Sequence, residues 1–279
     1  MIFDCHTHLF GPGQVGGPTF EALNRIWGNG KQLIATPEDH WKQYENADGA
    51  IVLAVDAPAT GIVVPNEYVA EYVSKHPGKL FGFASVDPNK PHADRLLEHA
   101  IREYRLSGLK LGPIYQNFYP GDKKHFSLYA KANELNIPIL WHQGTSYVPE
   151  GYLDASRPAD LDPISRAFPE LKMIIAHMGH PWMEECICIV RKNKNMYMDL
   201  STLMARPWQF YNAMVLAMEY GVLDKILFGT DFPLFTVQQT IDSLRNVNVL
   251  AEGTSLSRIP ERAIEDIIHR NTVELLELD

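Results

Sequence analysis

The chain has 279 residues, is 46% hydrophobic and carries a formal net charge of −9 at pH 7, which allows a large core and gives no basic footprint for nucleic acid. No apolar run reaches the length of a membrane span, and the N-terminus opens on a strand pattern rather than a secretion signal. Three cysteines, Cys5, Cys186 and Cys188, give no disulfide framework, so a reduced cytoplasmic protein without membrane contact is expected.

The first element is the apolar run Ile2-Phe3-Asp4-Cys5-His6-Thr7-His8. Alternate side chains of a strand share a face, so His6 and His8 are expected to converge at its C-terminal end, with Cys5 facing away from His6 as a small buried hydrophobe. The glycine-rich stretch from Gly11 to Pro18 contains two prolines, which lack backbone donors. It is read as a long loop over a barrel mouth with no clear helix after it, and not as a phosphate-binding turn. Further strands are predicted over 49–55, 80–86, 107–111, 137–142, 173–177, 196–200 and 226–230. Their apolar runs suit parallel strands covered on both faces.

Helical segments lie between them. Thr36-Pro37-Glu38-Asp39 offers an N-cap, a first-turn proline and an acidic third position, and Asp162-Pro163 repeats the signal. Thr236 to Gln239 is a capping box, residues 92–104 and 124–136 have helical apolar spacing, and Gly221 follows the helix predicted over 208–220. Trp208, Phe210 and Tyr211 are read as helix packing, and a last helix over 260–278 is placed on the outside. Strand–helix alternation repeated eight times predicts a single (β/α)8 TIM barrel of the α/β class, with residues 1–279 as one domain.

The strand ends carry the chemistry. Strand five ends on His142, strand six on His177 and strand eight on Asp231, each after an apolar run in which an ionisable group is costly unless paired or coordinated. Active sites of this fold lie at the C-terminal ends of the strands, where all of these residues fall. Three histidines and one aspartate suit one divalent ion, with Zn2+ first and Mn2+ or Fe2+ as alternatives. Such an ion lowers the pKa of a coordinated water to about 7. Asp231 and His177 are the expected catalytic proton carriers. His180 opens the following loop.

These motifs resemble a known family: HTH on strand one, His142 on strand five, HMGH (177–180) on strand six and GTDFP (229–233) on strand eight. The chain is similar throughout to the amidohydrolase superfamily, in the amidohydrolase-2 branch of aminocarboxymuconate-semialdehyde decarboxylase-like metal-dependent hydrolases and decarboxylases. That resemblance implies one metal held by His6, His8, His142 and Asp231, with His177 as the nearby acid/base. The superfamily's two-metal members place a carbamylated lysine on strand four, so Lys110 with His177 would complete a binuclear centre. The alternatives for Lys110 are a carboxylate partner or an anionic group of the substrate.

The substrate side is less marked. Arg25, Trp27, Lys31, Tyr115, Tyr119, Tyr147, Tyr152 and Arg157 lie in loops after strands one, four and five, and Arg206 follows strand seven. An arginine at the mouth would clamp a carboxylate; Arg25, Tyr115 and Arg206 are the chosen substrate contacts, with His180 and Lys110 as second-metal or substrate residues. The leading expectation is a metal-dependent hydrolase of a small carboxylate-bearing lactone, amide or ester. The alternatives are a nonoxidative decarboxylase of an unsaturated or aromatic acid, and a barrel that binds without catalysing. The sequence leaves a homo-oligomer open.

Overall fold

The computed structural model describes residues 1–27 and 33–278, so Lys31 lies outside the described residues. Eight parallel strands pair in chain order: β1 (Phe3–His8), β2 (Gly49–Leu53), β3 (Leu80–Ser85), β4 (Gly108–Leu111), β5 (Ile139–Trp141), β6 (Met173–Ile175), β7 (Met196–Asp199) and β8 (Ile226–Leu227). The ring closes at the β8–β1 seam. There Cys5 N donates to Phe228 O at 2.9 Å, Asp231 N to His6 O at 2.8 Å and His8 N to Phe232 O at 2.9 Å.

Strand alternation sorts the core into two layers. Ile51, Leu53, Phe81, Phe83, Leu140, Ile174 and Leu227 fill the barrel interior. Ala50, Val52, Leu109, Leu111, Ile139, Trp141 and Met173 face outward into the layer that the helices cover. The predicted helix starts are largely met. Thr36 and Thr236 both form capping boxes, the first opening α2 (Pro37–Tyr44) and the second the helix Val237–Arg245. Asp162 is instead the first helical residue of Asp162–Ala167, with Leu161 at the cap. Gly221, at φ +68°, terminates Pro207–Glu219 by entering the left-handed region that glycine tolerates.

Five details differ from the sequence reading. A helix, α1 (Gly17–Trp27), does follow the glycine-rich stretch. The segment predicted as 49–55 ends its barrel pairing at Leu53, and Val55–Ala57 pairs antiparallel with Ile62–Val64 above the mouth. Trp208 is 58% exposed, while Phe210 and Tyr211 pack inward as expected.

The fourth difference is at the C-terminal end. Residues 260–278 form two helices, Glu261–Ile268 and Thr272–Leu276. The first packs Ile264, Ile267 and Ile268 on the outer layer, but Leu276 and Leu278 enter the inner cluster beside Phe3 and Tyr197 and close the end of the barrel away from the strand C-termini.

The fifth is a β-bulge. Asp4 pairs with Ala50, but the next pair is Thr7 with Val52, so β1 spends one residue more than β2 over this step. Cys5 therefore joins the interior cluster and does not face away from His6; it is nonetheless the small buried hydrophobe expected. Asp4 turns to the outside, where Tyr44 meets it, and the pleat resumes with His6 and His8 aimed inward.

Among the described residues no helix is long and apolar enough to cross a membrane. Because Leu276 is fully buried in the interior layer, Leu276→Ala should cost about 2–5 kcal/mol in denaturant unfolding. The metal content of the folded variant should stay at the wild-type level, since this end lies opposite the site.

Candidate metal centre

The strand ends bring three donor atoms into one cluster. His6 Nε2 lies 3.2 Å from His8 Nε2 and 3.4 Å from Asp231 Oδ1, and His8 Nε2 lies 3.2 Å from Asp231 Oδ1. Ligands held about 2.0–2.1 Å from an ion are separated by about 3.3–3.4 Å at tetrahedral angles and by about 2.8–3.0 Å at octahedral ones. The triangle is thus the size of one face of a coordination shell.

Its charge state also fits. Burial, assisted by the charge of Lys110, lowers the His6 pKa to about 4, and burial lowers that of His8, so both rings are neutral at pH 7. Burial alone would raise Asp231, but His6, the hydrogen bond to His8, and His177 outweigh it and hold the carboxyl well below its usual range. Two neutral imidazole nitrogens and one carboxylate oxygen suit a divalent ion, and these residues fit the metal that the sequence implies.

Asp199, at the end of β7, was not among the candidates. Its Oδ2 accepts His6 Nδ1–H at 2.9 Å, and its Oδ1 accepts the backbone N–H groups of His177 and Ser201 at 3.0 Å each and the Ser201 hydroxyl. The bond to Nδ1 fixes the His6 tautomer and leaves the Nε2 lone pair in the cluster. A signal was present in the sequence, because Asp199 ends an apolar strand just as Asp231 does. Gly229 gives this pair its room: a Cβ there would sit 3.3 Å from the Cβ of His6 and 3.4 Å from that of Asp199.

His142 and His177 form a second pair beside the first. His142 Nε2 donates to Thr145 O at 3.1 Å and His177 Nδ1 to Ser201 O at 3.0 Å. Their remaining nitrogens, His142 Nδ1 and His177 Nε2, face each other at 3.3 Å with lone pairs opposed, an arrangement that calls for a shared proton or a cation between them. His142 thus lies next to the three-donor cluster and outside it. His177 has φ +55° and Asp231 φ +59°, left-handed values that cost a non-glycine residue energy and that recur at functional sites. Lys110 Nζ points into the same space, 3.4 Å from His6 Nε2, and burial lowers its pKa to about 8.

Above these groups opens a cavity lined by Phe10, Val15, Leu23, Val55, Ile62 and Val148 on its apolar side. Tyr115, whose ring lies 4.7 Å from that of His142, reaches it, as do His180 and Arg206. His180 donates from Nε2 to Gln209 Oε1 at 2.6 Å. Other predicted contacts stand elsewhere. Arg25 is exposed and donates to Tyr147 O at 3.4 Å, Arg157 is ion-paired with Glu185, and Tyr119 with Asp154 lies at the surface. Among the described lining residues, Lys110 and Arg206 are the Lys/Arg cations, one at the floor and one at the rim.

A parallel barrel with imidazole and carboxylate donors at its strand C-termini defines a metal-dependent TIM-barrel enzyme. The sequence profile of the amidohydrolase family matches residues 3–278, and the chain belongs to that family. No curated protein matches it. Among solved structures it resembles a probable 2-pyrone-4,6-dicarboxylic acid hydrolase from Acinetobacter baumannii with citric acid bound (14% identity, TM-score 0.70, 99% of each chain). It also resembles a 2,6-dihydroxybenzoate decarboxylase complexed with 2,6-dihydroxybenzoate (15%, 0.71, 99% of this chain and 98% of that one). A third is a dihydroxybenzoic acid decarboxylase from a Polaromonas species with bound manganese and 2-nitroresorcinol (18%, 0.64, 99% and 96%). At these identities the likeness is one of fold.

The Asp199–His6 contact gives a test. In Asp199→Asn an amide N–H facing Nδ1 would favour the other tautomer and put a proton on the Nε2 that the cluster needs free. Affinity for Mn2+ or Zn2+, measured by chelator competition, should fall about 10–100-fold.

Proposed function

We propose that the whole chain is one catalytic domain, a metal-dependent hydrolase of a small carboxylate-bearing lactone, amide or ester. The observation that carries this reading is the convergence of His6, His8 and Asp231 at the floor of a cavity whose walls are largely apolar. One divalent ion is assigned to these three residues, with His142 as the fourth ligand through Nδ1, the nitrogen not bound to Thr145 O. Zn2+ suits the nitrogen-rich donor set, and the manganese of the Polaromonas enzyme supports Mn2+ as the alternative. When bound, the ion would polarise the substrate carbonyl and make a water acidic at neutral pH.

The protein's own groups do the rest. Asp231 engages the cluster through Oδ1, and its second oxygen is the base assigned to the water proton. His177, with Nδ1 fixed by Ser201 O, presents Nε2 as the proton carrier for the leaving group. Lys110 at the floor offsets negative charge that develops on the reacting group, and Arg206 at the rim binds a carboxylate. The apolar wall seats the substrate's body and keeps bulk water from the reacting carbon.

Decarboxylation is the second reading. A wall of Phe10, Val15, Val55 and Ile62 suits a planar ring, and the named dihydroxybenzoate decarboxylases act on acids of that shape. There His177 would deliver a proton to the carbon that loses CO2.

Two measurements test the proposal. His177→Asn should leave about one metal per chain and lower turnover by about 10²–10⁴-fold, the usual worth of a general acid or base. Loss of one of two metals would instead favour the binuclear centre with Lys110. Lactones, amides and esters of small acids would then be offered beside hydroxybenzoates and muconate-type acids in labelled water. Oxygen-18 gained without CO2 is the expected result, whereas CO2 release with deuterium at the vacated carbon replaces the first reading with the second.

A further inference from the structure

Behind the metal-bearing face of β1 lies a second buried polar group that the proposed chemistry does not use. Asp4 is fully buried on the outer side of the strand. Its Oδ1 accepts two backbone N–H groups, from His6 at 3.0 Å and from Thr230 at 3.1 Å. Its Oδ2 accepts the Tyr44 hydroxyl at 2.6 Å. Tyr44 Oη also lies 3.0 Å from Thr230 Oγ1, which accepts Phe232 N–H at 2.9 Å. Asp4, Tyr44 and Thr230 are all inaccessible to solvent.

The placement of the two backbone donors is what gives this contact its meaning. His6 sits in the bulge, where the extra residue takes its N–H out of the regular ladder with β2. Thr230 immediately precedes Asp231, whose positive φ breaks the extension of β8. One carboxylate oxygen therefore ties together the two irregular backbones that aim the donor atoms of the cluster. Tyr44, at the end of α2, fixes that carboxylate from outside, and the ring of Phe232 meets that of Tyr44 edge-on.

We propose that Asp4 is a positioning residue for the metal centre: it holds the His6 bulge and the Thr230–Asp231 turn at the separation that the ion requires. This rests on the metal-centre reading above. An ordinary buried structural carboxylate would contribute to stability alone, whereas a clamp on both ligand backbones sets metal affinity. The role is one of hydrogen-bond geometry, so asparagine can fill it. Its Oδ1 accepts the same two N–H groups, and its amide donates to Tyr44 Oη, which then donates to Thr230 Oγ1.

The test uses the full-length protein stripped with chelator, with Mn2+ and Zn2+ titrated separately, free Mn2+ read by electron spin resonance and Zn2+ by a competing dye. Asp4→Ala is expected to weaken binding by about 10–100-fold, as loss of an outer-shell partner does. Asp4→Asn should bind close to the wild-type value, and Tyr44→Phe should fall between the two. Unfolding of the metal-free variants, measured alongside, separates stability from affinity. Folded Asp4→Ala with wild-type affinity overturns the proposal, and so does Asp4→Asn as weak as Asp4→Ala. If Asp4→Ala does not fold, Tyr44→Phe decides, and unchanged affinity there overturns the clamp. Wild-type protein that takes up neither ion instead refutes the metal centre itself, and the clamp with it.

Discussion

The organisation of this protein follows from one cost, that of keeping ionisable groups inside an apolar barrel. His6, His8, Lys110, His142, His177, Asp199 and Asp231 gather at the C-terminal ends of strands whose other inward side chains are largely apolar. In that setting an unpaired charge is expensive, so each group is bound to another or held neutral. Asp199 is tied to His6 and to two backbone N–H groups, and His142 Nε2 and His177 Nδ1 donate to carbonyls. The same partners that reduce the burial cost also choose the tautomers, and the tautomers decide which lone pairs face the cavity. Stability and chemistry are set by one list of hydrogen bonds.

The cavity continues this division of labour. Its floor holds His6, His8, Lys110, His142, His177 and Asp231, and the wall built from the β1–α1 connection, α1 and the Val55–Val64 hairpin is largely hydrocarbon. Such a site fixes the reacting end of a substrate through directional contacts and accepts the remainder by shape. Family members with different reactions are compatible with this plan, because the floor offers donors for a divalent ion while the loops shape what reaches it.

Much of this was legible in the sequence because two periodicities are strong. Alternating β and α segments gave the barrel, and the ionisable residue after each apolar run gave His6, His8, His142, His177 and Asp231. What stayed hidden has specific physical causes. The bulge in β1 is a mismatch between two strands and cannot be read from one of them, so Cys5 was placed on the wrong face. Asp199 was passed over because its role depends on a histidine 193 positions away. Arg157 sits in the same loop as cavity residues and Arg25 in the same helix as Leu23, and only tertiary pairing separates them from Arg206. The C-terminal helix was put outside because Leu276 and Leu278 show no periodicity that distinguishes a plug from a cover.

The bulge has a consequence for how this strand can vary. A regular pleat gives a strand two faces of fixed membership, and every second residue is bound to share a function. One inserted residue shifts the phase by half a period, so Asp4 serves the helix side while His6 and His8, of the same parity, serve the interior. Substitutions along β1 therefore act on two separate systems: Phe3, Cys5, His6 and His8 serve the interior, and Asp4 and Thr7 serve the layer that α2 covers. Deleting Cys5 would remove the bulge and restore unbroken alternation, with Asp4 still on the helix side and His6 and His8 still inside, but it would draw the His6 N–H back into the regular ladder and away from Asp4 Oδ1.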